Sequence, residues 1–190
     1  MSEDIRVAKK VATVRDSLGI SVEELAERSG CDAGLIRRIE AGELVPSLAP
    51  LIKIARALGV RLGTLLDDAG GMGPVVTRRD EAAGTTRLRS LETGAGSGGT
   101  LDFFSLAPGR VTRHMEPFLV TVHPGEAALS SHEGEEMLYV LEGRIAVSYG
   151  KDLHALGPGD SIYYDSIVPH RVTAAGAHDA RLLAVVYAPL

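Results

Sequence analysis

The chain has 190 residues, enough for one large domain or two small ones, and its 45% hydrophobic content can supply a core. Its formal net charge is −5, but the acidic excess lies beyond residue 66, so only a local cluster of cations in the first third could attract nucleic acid. The single cysteine, Cys31, excludes an intramolecular disulfide. The N-terminal residues lack an apolar signal core, and no run of about 18 apolar residues could form a membrane helix. We therefore expect a cytoplasmic protein without a membrane partner.

Short helices are predicted throughout the first third of the chain. Apolar residues recur at helical spacing between Val7 and Leu18, and Gly19 is expected to end this first helix because glycine tolerates the left-handed conformation. Ser21 can cap a second helix, and Glu24 is expected to reach back to the amide of the cap residue. Similar signals predict three further helices, which begin after Asp32, after Ser47 and at Val60.

The joint between the second and third predicted helices has the residue types that a helix-turn-helix requires. Ala26 is small enough for two helices to cross, Gly30 permits the turn, and Ile36 and Ile39 can pack the third helix on the second. The segment AERSGCDAGLIRRIEAGELVPSLAPLIKIARALGV resembles the phage-repressor/Cro-like (XRE) helix-turn-helix family, and the resemblance covers nearly all of residues 5–68. It implies a five-helix, lambda-repressor-like domain that binds double-stranded DNA.

In that family the third helix enters the major groove and residues near its start touch base edges. By position, the resemblance assigns DNA contacts to Ser21, Asp32, Ala33, Gly34, Arg37 and Arg38. Alanine and glycine offer no side-chain hydrogen bond and aspartate repels phosphate, so the two arginines are the main candidates for binding guanine or neutralising phosphate. The alternative interpretation is that both arginines belong to a solvated helix face.

Beyond residue 68 the helical pattern is replaced by glycine-rich stretches and then by short β-type runs. Residues 69–100 contain the glycine-rich stretches AGGMGP and TGAGSGGT and are predicted to be a linker, with edge strands expected at residues 75–77 and 85–86. From residue 101 short β-type runs alternate with Gly and Pro turns, which indicates a sandwich or small barrel. The predicted strands are residues 101–106, 118–122, 137–141, 145–149, 161–164 and 182–187.

One segment, SHEGEEMLYVLEG, has the residues to hold a metal ion together with a later histidine. His132 and Glu136 are four positions apart, so on an extended strand both side chains would point to the same face, and His170 can complete the set. Two imidazoles and one carboxylate leave coordination positions open, as in non-haem Fe(II) sites, and ligand type does not distinguish Fe, Zn, Ni and Mn. The alternative is that the three residues only hydrogen-bond to one another in the interior.

The turn-and-strand pattern around these residues resembles the cupin family over roughly residues 100–188. The resemblance implies a jelly-roll β-barrel over residues 101–190 and a divalent metal ion bound by His132, Glu136 and His170. The first cupin motif usually has a further histidine two residues before His132, and this chain has Ser130 there. Ser130 can at best bind the metal weakly or through water, and it is a candidate for the ligand pocket. Tyr164 is a second pocket candidate, since by parity Tyr139 should face away from Glu136.

Two families have this order of domains, and they differ in function. One comprises XRE-cupin transcriptional regulators, which segments such as HEGEEMLYVLEG and GDSIYYDSIVPH resemble; the other is hydroxypropylphosphonate epoxidase, a mononuclear non-haem Fe(II) oxygenase. The epoxidase holds its phosphonate with a lysine and tyrosines, and alignment by eye places Gly19, Phe104 and Leu106 at those positions. None of these three side chains can bind an anion. We therefore expect a homodimeric DNA-binding regulator with a small-molecule effector, and keep the oxygenase as the alternative.

Overall fold

The structure is a computed structural model that describes residues 3–44, 46–66, 74–78, 87–89, 101–110 and 113–189. Five helices come first: α1 (Glu3–Ser17), α2 (Val22–Ser29), α3 (Ala33–Glu40), α4 (Leu48–Ala57) and α5 (Leu62–Leu66). Nine strands follow: β1 (Arg87–Arg89), β2 (Leu101–Ser105), β3 (Met115–Val122), β4 (Glu135–Glu142), β5 (Ile145–Tyr149), β6 (Asp152–Leu156), β7 (Ser161–Asp165), β8 (His170–Ala174) and β9 (Ala180–Tyr187). No helix among these residues has the length and apolar character needed to cross a membrane.

The helices begin and end where local chemistry predicts. The hydroxyl of Ser21 accepts from the amide of Glu24 at 3.1 Å, and Gly30 ends α2 in the left-handed conformation with φ of 65°. The carboxylate of Asp32 accepts from the amide of Leu35 at 3.0 Å and caps α3. One detail of the prediction is wrong: the Glu24 carboxylate accepts from Arg28 at 2.5 Å, because an ion pair one turn ahead competes with the bond back to the cap.

The helical domain packs around the steep crossing of α2 and α3. Leu25, Ile36 and Ile39 are fully buried there, as the spacing of apolar residues predicts. An ion pair between α1 and α3 closes one side of this core: Arg15 Nε and Nη2 donate to the two carboxylate oxygens of Glu40 at 2.7 and 3.0 Å. The hydrogen bond with Glu40 raises the pKa of Arg15, and the bidentate geometry holds the third helix at a fixed orientation.

The strands form two antiparallel sheets. The larger has the order β1-β2-β3-β9-β4-β7 and the smaller the order β6-β5-β8. Burial alternates along β3 and β9, which are the central pair of the larger sheet, so one face of each strand contributes to the core. An isolated bridge joins Ser130 to His170, with backbone hydrogen bonds of 2.8 and 2.9 Å in the two directions.

The six strands predicted from residue 101 onward are present, and two further strands in that region, β6 and β8, were not predicted. The strand β6 is exposed over most of its length and has no apolar alternation, and β8 begins at a histidine. The edge strand expected at residues 75–77 is wrong, because this segment is irregular and only the Thr77 hydroxyl bonds to Leu106 O, at 2.9 Å. The edge strand expected at residues 85–86 and the glycine-rich stretches of the linker lie outside the described residues.

The helical domain and the sheets meet at a junction with a buried ion pair. Arg113 Nε donates to Glu116 at 2.5 Å, and both side chains are buried. The guanidinium lies against Gly63 of α5, where a Cβ atom would be 3.1 Å from it. Two exposed pairs add to this contact: Arg61 with His114, at 2.8 Å between Nη1 and Nδ1, and Arg56 with Glu133.

Candidate DNA surface and metal centre

The exposed side of α3 has two arginines with different surroundings. The Arg37 guanidinium forms an ion pair with Glu23 of α2, and both side chains are more than half exposed. The side chain of Arg38 is exposed and makes no hydrogen bond or ion pair within the described part of the chain. Arg38 is therefore directly available to a phosphate or a guanine, whereas Arg37 must first leave Glu23.

The other residues that the sequence assigns to DNA contact lie at the two helix starts. Ser21 and Asp32 use their side chains as helix caps. A Cβ atom at Gly34 would be 2.9 Å from the Asp32 carboxylate, so a larger residue there would disturb the cap. Because Ala33 and Gly34 have no large side chains, the sugar-phosphate backbone or a base edge of DNA can approach the start of α3 closely.

The three predicted metal ligands converge in the interior. His132 Nε2 lies 2.8 Å from Glu136 Oε1, and His170 Nε2 lies 3.3 Å from the same oxygen. One ligand atom from each residue can be chosen so that all lie within 4.8 Å of one another, and all three residues are buried. Ser130 Oγ is 3.1 Å from His170 Nε2, so it lies at the edge of the cluster.

The route by which His132 and Glu136 meet differs from the prediction. Glu136 is on β4, but β4 begins at Glu135, and His132 lies before it in a turn. Gly134 makes that turn with φ of 112°, and a Cβ atom on it would be 1.9 Å from the carbonyl oxygen of Tyr187. The expectation of two side chains on one face of one strand is therefore wrong. A tight turn against β9 brings the imidazole back over the carboxylate.

Hydrogen bonds outside the cluster set the orientation of each ligand. His132 Nδ1 is 3.1 Å from Glu133 O, and His170 Nδ1 is 2.9 Å from Val168 O. Because a carbonyl oxygen can only accept, each Nδ1 atom carries a proton, which leaves Nε2 of each ring facing the cluster, where it offers a lone pair when the ring is neutral. This is the tautomer that binds a metal through Nε2.

The carboxylate is held just as firmly. Tyr164 donates from its hydroxyl to Glu136 Oε2 at 2.9 Å, and the fully buried Ser166 donates to Oε1 at 3.0 Å. Burial raises the pKa of Glu136, but hydrogen bonds with His132 and His170 outweigh it, and the pKa lies well below its ordinary value. Burial, followed by the charge of Glu136, raises the pKa of Tyr164, so the phenol stays protonated and donates.

The cluster fits a divalent cation. Two nitrogen lone pairs and a carboxylate oxygen repel one another unless a positive species lies between them, either protons on the rings or a metal ion. Burial lowers the pKa of His170, but the hydrogen bond and the charge of Glu136 together raise it by more. The pKa is therefore raised overall, and the cluster favours positive charge. The separations of 2.8 and 3.3 Å compare with the roughly 3 Å expected between ligands of an ion held at about 2.1 Å.

A cavity of about 90 Å³ opens beside the cluster. Apolar side chains from both sheets surround it, together with the three metal-ligand candidates and Ser130; the apolar ones include Leu101, Phe103, Val120, Leu138, Val172 and Leu182. Tyr164, which the sequence places in the pocket, contacts the carboxylate from outside the cavity. Phe104 and Leu106 do not line it, whereas their neighbour Phe103 does, since alternate residues of a strand face opposite sides.

Two parts of this site were not predicted from the sequence. Ser166 donates to Glu136 from the turn after β7, and no motif marks it. Ser47, Leu48 and Ala49, at the start of α4, line the cavity from the helical domain. Only the relative placement of the two domains brings them there, so no local signal could have identified them.

The fold and the site together define a class: a helix-turn-helix domain followed by a cupin domain. Residues 11–65 match the helix-turn-helix family and residues 118–186 match the cupin domain family. The chain belongs to the family of helix-turn-helix proteins with a C-terminal cupin domain, in which both regulators and an epoxidase occur.

The relatives that the chain resembles include both an epoxidase and transcriptional regulators. The chain is 32% identical over 161 residues to the (S)-2-hydroxypropylphosphonic acid epoxidase of Streptomyces wedmorensis, covering 77% of this chain and 76% of that protein. It is 24% identical over 184 residues to the transcriptional regulator PuuR of Escherichia coli, covering 95% and 94%. A solved helix-turn-helix regulator from Vibrio cholerae shares the fold with a TM-score of 0.69 at 22% identity, over 98% of this chain and 97% of that one.

Proposed function

We propose that the protein is a DNA-binding transcriptional regulator whose cupin domain binds a small-molecule effector beside a divalent metal ion. The exposed arginines on α3 are the observation that carries this proposal. A regulator needs such a surface, whereas an enzyme with the same cupin site does not. Because DNA is its partner, we also propose a cytoplasmic location.

The finer architecture follows from this function. We infer that the two sheets close as a jelly-roll barrel around the cavity and that the domains divide at residues 5–68, 69–100 and 101–190. A single helix-turn-helix reads a short half-site, and a dimer doubles the contacts on a pseudo-palindromic operator. Exposed apolar residues on the outer surface of the cupin domain support a homodimer; the most exposed are Leu153, Tyr163 and Met115.

The metal site would be formed by His132, Glu136 and His170, with Ser130 beside it. A bound divalent ion of Fe, Zn, Ni or Mn would supply a Lewis-acidic centre with open coordination positions. The chain's own residues orient the imidazoles through Glu133 O and Val168 O and hold the carboxylate through Tyr164. The apolar walls exclude water from the ligand.

Binding to selected genomic DNA fragments tests the regulator. We expect affinity to fall steeply with salt, because phosphate neutralisation releases counterions. Arg37→Ala combined with Arg38→Ala should weaken binding by at least about tenfold. The matched control is Arg144→Ala with Arg181→Ala, which removes two positive charges from the cupin domain instead. Salt-insensitive binding, or no binding to any fragment, would overturn the proposal.

The second candidate is a non-haem Fe(II) oxygenase. The two-histidine, one-carboxylate cluster and the 32% identity to the epoxidase favour it. Among the described residues, no lysine or tyrosine lines the cavity to hold a phosphonate, and β2 faces it with Leu101 and Phe103. Substrate-dependent oxygen consumption by the Fe(II)-loaded protein with 2-hydroxypropylphosphonate, lost on His132→Ala, would support the oxygenase. We expect none above the protein-free control.

A further inference from the structure

The cavity beside the metal-ligand candidates has walls from both domains. The sheets provide most of the lining, and Ser47, Leu48 and Ala49 of α4 complete it. These residues form the cap and first turn of a ten-residue helix, and the Ser47 side chain makes no capping hydrogen bond. A molecule in this cavity would therefore touch the helical domain directly, without an intervening chain of residues.

The charge of the site selects the ligand. In a metal-loaded cluster the Glu136 carboxylate is ionised and the two imidazoles are neutral, because ligands bind a metal ion in their deprotonated forms. A divalent ion with one carboxylate has a net charge of one positive unit, in an interior where uncompensated charge is costly. A monoanion neutralises that charge, whereas a neutral ligand leaves it in place.

The walls and the volume restrict the ligand further. Most of the lining is aliphatic or aromatic, which favours a hydrocarbon body. The cavity of about 90 Å³ is smaller than the roughly 150 Å³ apolar cavity that accepts benzene, so the body must be short. Arg171 also lines the cavity, but its guanidinium is directed to Ala127 O and the Ser148 hydroxyl.

We propose that the cavity is a binding site for a short-chain aliphatic monocarboxylate, enclosed jointly by the cupin sheets and the first turn of α4. The carboxylate faces the metal-ligand cluster and the alkyl chain lies against the apolar lining. This inference rests on the proposed function, since it names the effector class of that site. It also implies that occupancy of the cavity and the position of the helix-turn-helix are energetically linked.

Propanoate, titrated into the full-length protein loaded with Co(II), tests the ligand class. The visible absorption of Co(II) reports the ligand. We expect propanoate to bind at least about tenfold more tightly than propanamide, its neutral counterpart, and than octanoate, which is too long. Equal binding of propanamide or octanoate overturns the proposal, and so does a protein that does not take up Co(II).

The contribution of α4 is tested with Ala49→Leu, which fills the wall with a good helix former. Its matched control is Ala155→Leu on the exposed strand β6. We expect Ala49→Leu to weaken propanoate binding about tenfold while Co(II) uptake is unchanged, and Ala155→Leu to have no effect. In the unmodified protein, propanoate should slow hydrogen exchange of the amides at the start of α4. Unchanged binding in Ala49→Leu, or unchanged exchange there, overturns the shared wall.

DNA binding of the same samples distinguishes a failure of the proposed regulator function from a failure of the proposed cavity. Salt-dependent DNA binding together with propanoate binding that is insensitive to Ala49→Leu overturns only the shared cavity. Propanoate binding that depends on Ala49, without DNA binding, overturns the regulator and leaves the site standing.

Discussion

Neighbouring tyrosines on β7 show how the setting of a single residue decides its role. Tyr164 is buried and donates to Glu136, a metal-ligand candidate. Tyr163 is 63% exposed and donates to Glu135 on the other face of β4. The two phenol–carboxylate pairs have the same chemistry, and they differ only in the face of the sheet on which they lie.

We expect Tyr164→Phe to weaken Zn(II) binding about 10- to 100-fold, the usual effect of removing a partner that orients a metal ligand. Tyr163→Phe is the matched control and should leave the affinity unchanged. Competition with a chromogenic chelator measures both. Equal affinities in the two variants would show that Glu136 needs no support from β7.

At the scale of elements, the turn before β4 places His132 over the carboxylate. Gly134 has a φ of 112°, a conformation that side chains rarely adopt, and its hydrogen atom faces the carbonyl oxygen of Tyr187 on β9. The strand, the turn and β9 therefore fit together only with glycine at this position.

We expect Gly134→Ala to destabilise the fold by about 3 kcal/mol or more, because the new methyl group would overlap Tyr187 O in a strained backbone conformation. Gly176→Ala is the control, since a Cβ atom there meets nothing within 4 Å. Thermal unfolding measures the stability, and metal uptake by the folded fraction shows whether His132 is displaced. A stability equal to that of the control would contradict this account of the turn.

At the scale of the whole molecule, the buried pair Arg113–Glu116 lies at the junction of the two domains. The Arg113 guanidinium lies between Glu116 of β3 and Gly63 of α5, and it also donates to Ala107 O at 2.9 Å. A buried cation of this kind depends on its partner, because the interior solvates it poorly.

We expect Glu116→Gln to lower the free energy of unfolding by about 3 kcal/mol, since it removes the carboxylate charge that lies 2.5 Å from the buried Arg113 guanidinium. Glu142→Gln breaks the exposed pair with Arg181 and should cost less than about 1 kcal/mol. Chemical denaturation measures both, and limited proteolysis reports on loosening of the junction. Similar values for the two variants would mean that the junction does not need the buried charge.

The sequence by itself determined the parts of this protein that depend on a few neighbouring residues. Helix caps such as Ser21 and Asp32, the turn at Gly30 and the alternation along β3 and β9 are short-range interactions, and they are predictable. The convergence of His132, Glu136 and His170 was also predictable, because their spacing is a motif. The exposed strand β6 was not, since it has no apolar alternation.

Only the tertiary structure decided how these pieces meet. His132 reaches Glu136 through a turn against β9 and not along one strand, and Tyr164 supports the carboxylate from a neighbouring strand. The start of α4 becomes a wall of a cavity in the other domain. Each of these contacts joins residues far apart in the chain, and each depends on sheet packing and domain placement, which leave no periodic signal in the sequence.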